Sequence, residues 1–194
     1  MQFFKNKIYV TIILSLIIIA NPIMPVIAQA GEKAVLQDIV ITNDRDDLIS
    51  YFKVRGAFTK KITEAVFNGV PTSFSFLVVI YKNRSAWFNK KIASLKFTST
   101  LKYNALKKEF TVIRPWKTDK AWVTKSFDQA RIMMTNVDNL KIVSLDRLHK
   151  GEKYQLRFKA ELSKVTLPIY LHYVFFFVSL WDFDTDWYTI DFVY

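Results

Sequence analysis

Residues Thr72–Lys82 read TSFSFLVVIYK. Phe74, Phe76, Val78 and Ile80 fall on one side of a period of two, with Leu77, Val79 and Tyr81 on the other. Both sides turn apolar toward the end of the run, the mark of a strand covered on both faces. The segment is therefore expected at the centre of a sheet.

Immediately upstream the period lengthens to about 3.6. Phe58, Ile62, Ala65 and Val66 share one face, and Lys60, Lys61 and Glu64 lie away from it. A helix packed on the sheet is expected here. Asn68-Gly69 can take up the left-handed closing conformation, and Pro71 cannot continue a helix. Further upstream, residues 34–42 (AVLQDIVIT) and 48–56 (LISYFKVRG) alternate around the polar turn Asn43-Asp44-Arg45-Asp46-Asp47, which predicts a hairpin. In the first arm Val35, Ile39 and Ile41 are expected on one side. In the second, Ser50, Phe52 and Val54 oppose Ile49, Tyr51, Lys53 and Arg55.

Downstream, a turn at Asn83-Arg84-Ser85 leads to residues 92–103. There Leu95, Phe97, Leu101 and Tyr103 face one way and Lys96, Thr98, Thr100 and Lys102 the other, as in a sheet with one wet side. A turn from Asn104 and the returning segment 109–114 (EFTVIR) predict an antiparallel pair. Residues 115–120 form a basic loop, below which Trp122 is placed to plug the edge of the core. Ser126 followed three residues later by Gln129 fits a capping box, and Phe127, Ala130, Met133 and Met134 give a second helical stripe. Residues 140–145 read as a strand and Lys150-Gly151 as a turn. In residues 154–162, Tyr154, Leu156, Phe158, Ala160 and Leu162 alternate with Gln155, Arg157, Lys159 and Glu161. The expectation is a mainly β (α+β) fold, an antiparallel β-sandwich-like domain with two short helices.

The chain ends in its most aromatic stretch, residues 165–194 (VTLPIYLHYVFFFVSLWDFDTDWYTIDFVY). Pro168 and His172 interrupt it too soon for a membrane helix. As a strand, residues 165–181 want burial on both faces, followed by a polar turn at residues 182–186 and a closing strand at 187–194, together a terminal hairpin. Any excess apolar face there is a candidate interaction surface, carried by Tyr173, Phe175, Phe176, Phe177 and Trp181.

Residues 1–30 read as a signal peptide: Lys5 and Lys7 precede an apolar run, Asn21 and Pro22 break it, and Ala28-Gln29-Ala30 is a small-x-small cleavage site. Cleavage after Ala30 is expected, leaving residues 31–194 as a single β-rich domain. An uncleaved anchor over residues 8–27 is the competing reading, interrupted by Asn21, Pro22 and Pro25. Export places the protein in the periplasm or cell envelope. The sequence has no cysteine, which excludes disulfides, thiolate chemistry and lipid attachment through cysteine. The net charge of +11, less Lys5 and Lys7 of the signal, leaves the mature chain at +9. Such a field allows peripheral association with an anionic membrane surface. The lysines are spread along strands rather than blocked together, and nothing suggests a nucleic-acid partner.

The order of elements resembles the bacterial domain-of-unknown-function family 4390. The resemblance rests on EAVFNGVP at residues 64–71, YKNRSAW at 81–87, LKYNAL at 101–106, GEKY at 151–154, Leu167-Pro168, and Trp181 and Trp187. It implies an exported bacterial protein with no assigned activity and no site residues to carry over. Residues 173–180 are more aromatic than the family pattern.

Catalytic chemistry finds little footing. Only His149, in a turn, and His172, in the apolar tail, could act as a histidine base, and no G-x-S-x-G elbow presents a serine. Two histidines without cysteine disfavour zinc. Asp44, Asp46 and Asp47 lack the glycine and closing glutamate of an EF-hand loop. Asp182, Asp184 and Asp186 fit a solvated turn better than a metal site. The four glycines make no phosphate cradle. The expectation is a non-enzymatic module without cofactor, whose partner is an envelope protein or an apolar, lipid-like ligand. A small outer-membrane barrel is the alternative, suggested by the alternation of Tyr188, Ile190, Phe192 and Tyr194. An enzyme of unknown class ranks last.

Overall fold

The computed structural model describes residues 34–84, 88–163 and 184–194, all within the second of the two units into which the chain divides, Gly31–Tyr194. The strands are β1 (Val35–Asn43), β2 (Asp47–Arg55), β3 (Thr72–Lys82), β4 (Lys90–Asn104), β5 (Glu109–Ile113), β6 (Trp122–Thr124), β7 (Asn136–Ser144), β8 (Lys153–Leu162) and β9 (Tyr188–Val193). Helix α1 (Lys60–Phe67) lies between β2 and β3, and α2 (Phe127–Thr135) runs directly into β7. The strands form two antiparallel sheets, β1-β2-β7 and β6-β5-β4-β3-β8-β9.

β3 is central, between β4 and β8, and its wholly apolar inner row Phe74, Phe76, Val78 and Ile80 is fully buried. The other sheet answers it with Phe52, whose ring meets Phe76 edge-on at 5.9 Å and Phe158 of β8 at 5.5 Å. Leu101, Val112, Leu156, Phe158 and Ala160 complete a core between the layers. Each buried phenylalanine removes enough apolar surface to contribute about 1.5 to 3 kcal/mol before entropy is counted.

The helices extend the smaller layer over the rest of the large sheet. Thr59 Oγ1 caps α1 by accepting from Ile62 N at 3.3 Å, and Ile62, Ala65 and Val66 turn inward. Phe58 packs on Phe74 and Phe127, and Phe67 on Tyr103, Phe110 and Phe127, which ties α1, α2 and the β4–β5 pair into one aromatic cluster. At α2 only half of the expected capping box forms. Ser126 Oγ accepts from Gln129 N at 3.3 Å. Gln129 Oε1 accepts instead from Thr124 Oγ1, which itself accepts from Ser126 N.

The smaller sheet departs from simple alternation. Between Gln37↔Lys53 and Val40↔Tyr51 β1 carries one extra residue, with Asp38 at φ 53°. The bulge turns Leu36 inward and leaves Val35 at 42% exposure, so Val35 does not share the face of Ile39 and Ile41 as the alternation predicts. β7 likewise holds an extra residue between Ser50↔Leu140 and Phe52↔Val137, with Asn139 at φ 54°. This lets Val137, Leu140 and Ile142 all face the core despite their mixed spacing, and it is why the strand starts at Asn136 rather than at residue 140.

β9 pairs antiparallel with β8, and its inward Ile190 and Phe192 pack on the core, Phe192 stacking on Tyr154 at 5.7 Å. Ahead of it, Thr185 docks on β8 through reciprocal bonds: its N–H donates to Ala160 O at 2.8 Å, and its Oγ1 accepts from Ala160 N at 3.0 Å. The closing strand is thus in place. The first arm of the expected terminal hairpin lies outside the described residues. Among the described residues no helix is long and apolar enough to cross a membrane.

Candidate functional site

The bulge in β7 stands over the layer gap facing β4, where the sandwich holds a half-open cleft of about 580 Å³. Its walls are Leu95, Lys96 and Phe97 of β4, Trp116 and Lys117 of the following loop, and residues 138–141 of β7. That size falls within the roughly 300 to 1,000 Å³ of small-molecule sites.

The floor is aromatic. Phe97 stacks on the buried Phe76 at 5.1 Å, and Trp116 leans on Phe97 at 5.1 Å. Trp116 is held in place by its Nε1, which donates to the buried Ser99 Oγ at 3.3 Å. Phe97 stays only half-buried, so an apolar surface faces the opening.

One wall is charged. Asp138 meets two cations, Lys117 through a short ion pair and Arg114 with Nη1 to Oδ1 at 3.6 Å, too long for a hydrogen bond. Arg114 is 8% exposed, lies over the Trp116 ring at 5.7 Å and donates from Nη2 to the weak acceptor Met133 Sδ at 3.7 Å. Burial lowers the Arg114 pKa from its ordinary value. Burial and the adjacent Arg114 charge hold Lys117 below its ordinary value as well, despite the carboxylate beside it. The other lining lysines have carboxylates of their own: Lys96 pairs with Glu161 at 3.0 Å and Lys141 with Asp47 at 2.6 Å.

The residues singled out in the sequence are placed otherwise. Tyr173, Phe175, Phe176, Phe177 and Trp181 lie outside the described residues, as do His172 and Asp182. His149 is in the turn before β8, and its backbone N donates to the hydroxyl of the buried Tyr154 at 2.9 Å. Asp44 closes the β1–β2 turn: its Oδ1 accepts from Asp46 N at 2.9 Å and Asp47 N at 2.7 Å, which lowers its pKa. Asp184 receives Lys159 Nζ at 2.7 Å, and that bond is the leading reason the Lys159 pKa is raised. Trp122 sits at the sheet edge in β6, half-buried against the core. The sequence reading passed over Trp116, Arg114, Lys117 and Asp138. The available signal was a tryptophan embedded in a loop that is otherwise basic.

The described residues thus define a two-layered antiparallel sandwich with helices completing one layer and a cleft opening between β4 and β7. The chain belongs to the domain-of-unknown-function family DUF4390, whose model matches residues 31–191. No match was found among curated proteins or among solved structures.

Proposed function

We propose that the protein is an exported, non-enzymatic binding module of the cell envelope that takes an apolar ligand into the cleft between β4 and β7. The observation that carries this reading is the half-buried Phe97–Trp116 floor at the mouth of a cleft of about 580 Å³. Aromatic surface left open in a rigid sheet favours an apolar body, because burying it expels water at no conformational cost to the site. Surplus positive charge on the mature chain suits the anionic surroundings of an envelope. A filled aromatic core between two sheets, in place of a polar lumen, favours this reading over a membrane barrel.

Native mass spectrometry of protein recovered from the envelope fraction tests it. A co-purified apolar molecule is expected on the wild-type protein and should be lost in Trp116→Ala, with the fold intact by circular dichroism. Wild-type protein with no bound mass, and with equal uptake of an apolar fluorophore by wild type and variant, would overturn it.

A further inference from the structure

Resting on that reading of the cleft, we infer that its ligand carries an anionic head, a carboxylate or a phosphate on an apolar body, and that Lys117 receives the head after leaving Asp138. At Asp138 the charges do not balance. Lys96 and Lys141 each have a carboxylate, Glu161 and Asp47, whereas Asp138 is shared by Lys117 and Arg114. Among the described residues neither cation has a second carboxylate. One positive charge is therefore left over on a wall where burial already disfavours it.

The position of that charge also matters. Arg114 lies on the face of Trp116, and Lys117 follows Trp116 in sequence, so both cations border the aromatic floor. A molecule lying on Phe97 and Trp116 brings its polar end to Lys117. Asp138 is then a competitor rather than a ligand contact. It occupies Lys117 in the empty cleft and keeps Arg114 company when the lysine turns to the ligand. Lys117 is free to make that exchange, since its side chain is 34% exposed, while Arg114 at 9% is fixed.

Isothermal titration of the protein recovered from the envelope and stripped of lipid, with decanoate, decyl phosphate and decan-1-ol as probes, reads this directly. At least one of the two anions is expected to bind roughly tenfold or more tighter than the alcohol, the scale of one charge-assisted hydrogen bond. The comparison of the two anions tells which head group is preferred. Lys117→Gln should bring the anion down to the affinity of the alcohol, while Asp138→Asn should raise the affinity of the anion relative to that of the alcohol. These opposite signs are what a merely structural ion pair would not produce. Equal binding of anions and alcohol overturns the anionic head and leaves the apolar cleft standing. Failure of all three probes to bind overturns both. Weaker anion binding in a folded Asp138→Asn also overturns the inference. Should that variant fail to fold, Lys117→Gln, at a part-exposed position, decides alone.

Discussion

Asp44 shows how one carboxylate organises a turn. Its oxygen gathers the amides of Asp46 and Asp47 at 2.9 and 2.7 Å, and these bonds to the charged form are the first cause of its lowered pKa, with Lys141 adding a smaller attraction. Because the folded value lies below the unfolded one, the stabilisation is present above the unfolded pKa and is lost as pH falls through the folded pKa. Asp44→Asn should keep much of the turn geometry and lose this linkage. Its melting temperature is expected to fall less than that of the wild type between neutrality and about pH 3, and parallel profiles would show that the charge is not linked to folding. Lys141 has the opposite sign. The bond that Lys141 Nζ donates to Asp47 Oδ2 raises its pKa, so its contribution is full below the unfolded value and disappears as pH rises through the folded one. The same scale explains why the cleft was illegible in sequence. Phe97, Trp116 and Asp138 come from three separate segments, and no spacing pattern links them. Lys117 reads as one more lysine in a basic loop until the fold brings it to Asp138.

Legibility at the level of elements follows the regularity of the backbone. β3, β4 and β8 keep strict alternation over most of their length, so their buried rows can be read directly: Phe74, Phe76, Val78 and Ile80, then Tyr154, Leu156, Phe158 and Ala160. The bulged strands resist this, since one extra residue reverses the parity of everything beyond it. In β7 the buried Val137 and Leu140 stand three apart, a spacing that resembles a helix more than a strand and that hid residues 136–139. Asn139 makes the bulge possible. Its φ of 54° lies in the left-handed region that asparagine and glycine tolerate and β-branched residues do not. Asn139→Gly should therefore be nearly neutral, whereas Asn139→Val should cost about 1 to 2 kcal/mol in urea denaturation and disturb the wall of the cleft. Equal stability of the two variants would mean that β7 can shift its register to remove the bulge.

For the whole molecule, the decisive contrast is between the filled interior and the charged exterior. Phe52 of one sheet wedges between Phe76 and Phe158 of the other, leaving no lumen among the described strands. On the opposite face of the large sheet, Lys96, Arg157 and Lys159 stand beside Leu77 and Val79 of β3. Arg157 covers the ring of Tyr81 at 5.1 Å, and Lys96 and Lys159 hold Glu161 and Asp184. A lipid-facing sheet would bear the cost of those charges in hydrocarbon, about 2 to 4 kcal/mol for a lysine or arginine at the midplane, while in water they cost little. The charged outer face of the large sheet is thus of the kind that water accommodates and hydrocarbon does not. Expressed with residues 1–30 in place, the protein is expected to leave the cell with osmotic shock, or to be stripped from membranes by carbonate and urea. Its amino terminus should then read from Gly31, after removal of residues 1–30. Retention in the outer membrane through the urea wash, together with faster migration of the unheated protein in gels, would establish a barrel and overturn the reading of a water-bathed binding domain. A released protein that still begins at Met1 would instead separate export from cleavage, leaving the cleft's access to envelope ligands intact while removing the signal-peptide reading of the leader.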